Sequence, residues 1–203
     1  MINVIESPRL LLQPFSPADA DEAYPCITPS LTRYMMSEPP ARQSEFAGSW
    51  RAWMQAFADG TEWVFTVREK LHNRFLGLAG LGRIQTPNPE LGIWIRESRQ
   101  GNGFGWEAVT CLYLWAGANF DYSCFIYPVA EDNHASRRIA ESLGGVVTNS
   151  GATPKYRYVV YSIPRYRPVS ENSFAKATNA ISDADWHVSF GQSFIESIRR
   201  STR

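Results

Sequence analysis

Short runs of the chain alternate apolar and polar positions, and longer stretches repeat apolar positions every three to four residues. The run 9–15, RLLLQPF, reads as a strand. Ser16, Pro17 and Asp19 then form a helix-start signal, and the short helix it opens is expected to end near Ala23. An irregular segment leads to a second helix over 44–60, with Ser44 as its cap and Gly60 as its stop. Phe46, Trp50, Trp53, Met54 and Phe57 mark its expected buried stripe. Residues 62–70 alternate as a strand, HNR at 72–74 turns the chain, and 75–85 returns. After the turn TPNP at 86–89, ELGIWI at 90–95 completes an antiparallel meander. A helix to about Asn119 and a strand at 123–129 come next. In the helix after them, 133–145, Asn133 is the N-cap, Ala135, Ile139, Ala140 and Leu143 form the stripe, and Gly144 is the stop. A last strand runs over 155–163. The pattern predicts an α+β fold around one mixed, mostly antiparallel sheet flanked by helices.

Residues 164–203 read differently. A polar linker precedes Trp186, Phe190, Phe194 and Ile198, spaced four apart as on an amphipathic helix. The expected division is a domain over 1–166 and a C-terminal helical extension over 167–203. The extension's apolar face is expected to pack on the chain's own domain, with a partner or dimer contact as the minority reading.

Composition narrows the function. Twenty basic residues balance twenty acidic ones in 203, so the chain lacks the footprint of a nucleic-acid binder. The opening MINVIESPRLLL does not read as a secretory signal. The longest uncharged apolar run, 75–82, is too short to span a bilayer. Cys26, Cys111 and Cys124 have no metal-ligand spacing, and their odd number suits a reducing compartment, with the cytoplasm as the default. No metal is expected.

The sequence RQGNGFG at 99–105 places three glycines directly before a helix. Amides at a helix start lack intrahelical partners, and the helix dipole adds positive charge there, so a phosphate is the natural occupant. Gly101, Gly103 and Gly105 lie two apart, which departs from the dinucleotide-binding spacing, and no GKS or GKT is present. From these residues alone a mobile turn remains an equal reading.

Three motifs together widen the context. Gln100-x-x-Gly103-x-Gly105 resembles the pyrophosphate loop of the GNAT acyltransferase superfamily. The opening ESPRLLLQPFSPADADEAYPCITPSLTRYM resembles that of ribosomal-protein (RimJ/RimL-type) N-acetyltransferases, and DNHASRRIAESLGG at 132–145 resembles a third motif of that family. The resemblance covers about residues 6–163, with Gly145 where the family usually has an aromatic. It implies acetyl-CoA as cosubstrate and a primary amine as acceptor. It further implies that the backbone of residues 101–106, with Gly101, Asn102, Gly103, Phe104 and Gly105, holds the pyrophosphate. Pantetheine is then expected beside a bulged strand at Trp94, Ile95 and Arg96, with one amide facing the thioester oxygen.

The same resemblance implies that Asn133 contacts pantetheine and that Ser136 protonates the leaving thiolate. From the residues alone, the favoured reading of the pair is an N-cap and a first-turn serine. Arg137 and Arg138 read either as a solvated helix face or as contacts to nucleotide phosphates. Glu90, at the start of the strand lining the expected cleft, is the candidate general base, or else an exposed strand-end charge. His72, His134 and His187 read as structural or solvent-facing, and Trp50, Trp53 and Trp63 as core residues or as an acceptor-pocket lining. An α-amine titrates near ~8 and a lysine near ~10.4, so a site without a strong base suits a protein N-terminus or a small-molecule amine. The expected activity is direct acetyl transfer in a ternary complex, by a monomer or homodimer. Two rivals remain: a non-catalytic acyl-CoA-binding module on the same fold, and transfer of a different acyl chain.

Overall fold

The computed structural model describes residues 4–166, so the proposed extension and its apolar positions lie outside the described residues. Eight strands form one sheet in the order β1-β2-β3-β4-β5-β6-β8-β7. They are β1 (Ile5–Glu6), β2 (Leu10–Pro14), β3 (Glu62–Glu69), β4 (Arg74–Gly82), β5 (Glu90–Ile95), β6 (Cys124–Ala130), β7 (Val146–Ala152) and β8 (Arg157–Pro164). Every neighbouring pair is antiparallel except β5 and β6, which run parallel and meet at a single residue pair, Glu90 with Ile126. The architecture is the expected α+β one.

Five helices cover the two faces: α1 (Ala20–Ala23), α2 (Pro29–Thr32), α3 (Gln43–Ala58), α4 (Phe104–Asn119) and α5 (His134–Ser142). Side-chain alternation along β3 sorts the core. Phe65 and Val67 join the cluster that contains Ala108, Leu112 and Ala116 of α4, while Val64 joins Phe46 of α3 and Ala20 and Ala23 of α1 on the other face. Burial on both faces removes apolar area from water at roughly 25 cal/mol per Å², and this holds the layers together. Trp50 and Trp53 pack on the second cluster, and Trp63 on the first, against Trp115 and Phe120. None of the three lines either of the cavities that flank β5.

The structure corrects several local expectations. Helix α3 begins at Gln43 with Arg42 at its cap, because the Glu45 carboxylate accepts from the Ala41 amide and fixes the entry one residue early; Ser44 is inside the helix. Met54 is exposed because it sits about 100° around the helix from Trp53, off the stripe. Ala135 is likewise exposed, on the first turn of α5. Strands β1 and β7 and helix α2 carry no expectation from the sequence pattern. In β7, VVTNSGA is exposed along nearly its whole length, so no alternation marks it, and backbone pairing with β8 makes it a strand. Gly145, where the resemblance expects an aromatic, donates its amide to Ala140 O, and a Cβ there would stand 2.7 Å from that oxygen. Among the described residues no helix is long and apolar enough to cross a membrane, and no cluster of His, Cys, Asp or Glu has the makings of a metal site.

Candidate active site

The glycine loop closes between β5 and α4. Gly101 and Gly103 have φ of +77° and +76°, a left-handed backbone that favours glycine, and Gly103 is the N-cap of α4. A Cβ at Gly101 would meet nothing within 4 Å, so its glycine answers to backbone conformation and not to crowding. The first intrahelical bond at this end runs from Glu107 N to Gly103 O, leaving the amides of 104–106 at the helix mouth. The Gln100 side chain donates to Ile95 O at 2.8 Å, and Asn102 Nδ2 donates to Arg99 O and Gln100 O. These two side chains therefore brace the loop.

A buried carboxylate behind the loop would oppose an anion there. Glu107, in the first turn of α4, has a fully buried side chain. Arg9 Nε contacts it at 2.6 Å, Ser7 Oγ donates to it at 2.6 Å, and the Arg9 amide donates at 2.9 Å. Arg9 Nη1 also reaches Asn102 O at 3.2 Å, so one guanidinium neutralises the carboxylate and anchors the loop. Nothing in the sequence pattern marks this pair, whose members stand 98 residues apart.

Beside the loop the sheet opens. Past the Glu90–Ile126 pair, β5 and β6 no longer form a ladder. Arg96 N donates to Leu76 O, and antiparallel alternation then turns Trp94 toward β4 as well. The amides of Ile93 and Ile95 point to the β6 side. Of the expected trio, then, the alternation turns Ile95 into the opening; Trp94 and Arg96 bond to β4, and Ile93 takes a place the sequence reading missed. The Arg96 guanidinium reaches Ser98 Oγ and Phe75 O. The expected bulge is not in β5, which keeps one register with β4; the shift lies between β3 and β4, where Leu76 is the extra residue. There Gly77 lets the backbones close in, since a Cβ would stand 2.0 Å from Trp94 O.

A cavity of about 380 Å³ occupies this opening. It brings together Trp94, Ile95, Gln100, Gly101, Gly103, Phe104 and Gly105 with Asn133 and Ser136 of the facing turn and helix, but not Arg96, Asn102 or Glu90. Arg99 and Arg138 also line it. Arg137 turns away: its Nε donates to Tyr161 Oη at 3.0 Å and its Nη1 to Glu131 O. Asn133 Oδ1 accepts from Ser136 N, so Asn133 caps α5 and presents Ser136 to the cavity. Behind the serine, Tyr127 Oη lies 2.8 Å from Ser136 Oγ. Burial pushes the Tyr127 phenol up to about 12, so it stays protonated at neutral pH. His134 is exposed at the start of α5 and His72 lies in the β3–β4 turn; neither lines the cavity.

Glu90 lines a second cavity, of about 490 Å³, with Tyr34 and Tyr158. Strand alternation puts Glu90 on the sheet face opposite Ile93 and Ile95. Tyr34 lines both cavities, so they adjoin at the opening, and Trp94, on the face of Glu90, lines the first cavity as well. Burial raises the Glu90 carboxyl above its usual range, opposed by Arg83 and reinforced by Glu62 across Gly82. Tyr34, on the segment after α2, closes the opening motif that carries the resemblance, but the sequence reading gave it no place in the site.

The residues present fit a nucleotide thioester: a left-handed glycine cradle at the mouth of a 16-residue helix, arginines beside it, and an opened sheet edge. The model of the acetyltransferase (GNAT) domain family matches residues 9–146. An uncharacterized protein of Methanocaldococcus jannaschii is 27% identical over 128 residues, 63% of this chain, and the chain spans only 25% of that protein's length. Among solved structures, a RimL ribosomal-protein alpha-N-acetyltransferase has a TM-score of 0.70 at 18% identity, covering 81% of this chain and 95% of its own. A RimL structure in complex with coenzyme A has a TM-score of 0.69 at 16% identity, covering 79% and 96%. A putative ribosomal-protein-serine acetyltransferase from Vibrio cholerae scores 0.67 at 19% identity, covering 80% and 97%. At these identities the structural likeness speaks for the fold.

Proposed function

The chain belongs to the GNAT acetyltransferase family, and from that premise we propose that it moves an acetyl group from acetyl-CoA to a primary amine, a protein N-terminus or a small-molecule amine, by direct attack. The observation that carries this reading is the opening between β5 and β6, with the glycine loop and Ser136 on one face and Glu90 on the other. The names of the structural neighbours support a protein α-amine as acceptor.

In this reading, the amides at the mouth of α4 hold the pyrophosphate, with Arg99 and Arg138 as counter-charges. The Ile95 amide, or that of Ile93, faces the thioester oxygen and stabilises the charge that develops there. Asn133 sits at the pantetheine side. Glu90 accepts a proton from the acceptor ammonium through water, and the neutral nitrogen bonds to the carbonyl carbon. As the carbon–sulfur bond breaks, Ser136 Oγ gives its proton to the sulfur. Tyr127, protonated at neutral pH, returns one to Ser136 and is reprotonated from solvent. The amide nitrogen and Glu90 each release one proton to solvent and Tyr127 regains one from it, so the sum is amide, thiol and one released proton.

The test is incubation of the full chain with acetyl-CoA and a panel of amines, with products read by mass spectrometry and free thiol measured in parallel. Acetylated amine and thiol in equal amounts are expected. Coenzyme A binding without product from any amine would turn the reading into that of a binding module.

A further inference from the structure

The second cavity has a chemistry of its own, and its selectivity is inferred here on the reading of that cavity as the acceptor side. Tyr34, Met36, Pro128, Tyr156 and Tyr158 are among its lining residues, and Glu90 is the only carboxylate among those described. Tyr34, Tyr156 and Tyr158 are each half-buried, and Met36 at the rim is 72% exposed and buries little in this fold. Tyr158 is set in place from behind. Gly151 of β7 pairs with it, and a Cβ at Gly151 would stand 2.5 Å from the Tyr158 hydroxyl oxygen.

The cavity's roof is fixed. Lys155, in the turn between β7 and β8, donates to Thr32 O at 3.1 Å and Ser37 O at 3.2 Å, and pairs with Glu38 at 3.0 Å. Tyr34 Oη adds a longer contact of 3.4 Å to Asp132 O. The segment after α2 is thereby tied across the opening to the other half of the sheet. The positive charge of Lys155 is engaged by the roof it holds.

An ammonium brought to this cavity finds one carboxylate. A second or third ammonium on the same molecule finds no further carboxylate in the described lining, and the attraction of a tyrosine face for a cation offsets only part of its desolvation. An apolar group beside the amine has the opposite balance, because the tyrosine rings and Met36 remove it from water. We propose that this cavity selects a primary amine borne next to an uncharged apolar or aromatic group, and discriminates against polyamines.

The experiment measures kcat/KM with full-length protein and saturating acetyl-CoA on peptides that begin Ser-Phe, Ser-Leu, Ser-Glu and Ser-Lys and are otherwise identical, with spermidine as the polyamine. Ser-Phe and Ser-Leu are expected to exceed Ser-Glu and Ser-Lys by roughly 10–100-fold, mostly through KM, as burial of one apolar side chain allows. Spermidine is expected to be the poorest. Tyr158→Ser should shrink the Ser-Phe to Ser-Glu ratio while calorimetric affinity for coenzyme A stays the same. Met36→Ser, at an exposed position that the fold does not need, should shrink it too and serves if the first variant is unstable. Ratios within about twofold across the peptides, or a preference for spermidine, would overturn the proposal and leave acetyl transfer standing. No acetylation of any amine would overturn the transfer reading, and this inference with it.

Discussion

The role proposed for Ser136 depends on the surroundings of that side chain. Its place on the first turn of α5 comes from the Asn133 cap, which the sequence pattern announces. The partner that sets its chemistry, Tyr127, lies nine residues earlier on β6, where alternation marks only a core position. Ser136→Ala should lower kcat by roughly 10-fold, at or below the low end for a general acid, because a thiolate near pKa ~8.5 already leaves fairly well. Affinity for coenzyme A, measured by calorimetry, should stay unchanged; a variant with full kcat removes Ser136 from the reaction. Glu90 carries a pH dependence. Burial raises its folded-state pKa above 4.5, so the fold binds its proton more tightly than the unfolded chain does. Its contribution therefore weakens the fold as pH rises through that raised value, and the penalty vanishes below the unfolded one. Glu90→Gln should then melt no lower than the parent at pH 7, and higher if the penalty is large. It should also lose the acidic limb of the rate profile that an ionised base imposes. Arg9 is a further residue whose weight sequence patterns hide. Arg9→Met should strand the buried Glu107 carboxylate, cost about 2–4 kcal/mol in denaturant unfolding, and weaken coenzyme A binding.

Elements were legible where side chains record burial. Helix α5 carries a clear helical period because one face meets the core, whereas β3, β4 and α4 are buried nearly all round and read as apolar runs bounded by turns. β7 was silent because its side chains stay in water, and the four-residue α2 is too short for a period to show. The glycine loop is visible in sequence, but its two left-handed residues and its braces are not. The bulge was misplaced because bulges leave little trace in hydrophobic pattern; Gly77, which permits it, reads like any other strand glycine. Three glycines separate these causes. Gly103→Val forces a β-branched residue to a φ of +76° and should abolish coenzyme A binding with the sheet still folded, as calorimetry and circular dichroism would show. Gly77→Ala places a carbon 2.0 Å from Trp94 O and should cost about 2–4 kcal/mol. Gly92→Ala, with nothing within 4 Å of the added carbon, should leave stability within about 1 kcal/mol of the parent.

At the scale of the whole molecule, two cavities meet at one opening in the sheet. The nucleotide-sized cradle lies with α4 and α5, and the tyrosine-walled cavity lies across the strands. Their shared residue, Tyr34, sits on a segment tied across the opening by Lys155. This arrangement allows donor and acceptor to be present together, with no need for an acetylated side chain between them. Initial rates measured over a grid of acetyl-CoA and Ser-Phe peptide concentrations test that claim most directly. Lines that intersect in the double-reciprocal plot are the predicted result, since both substrates must occupy the opening before transfer. Parallel lines, with acetyl-CoA releasing thiol in the absence of peptide to leave acetylated protein, would contradict it.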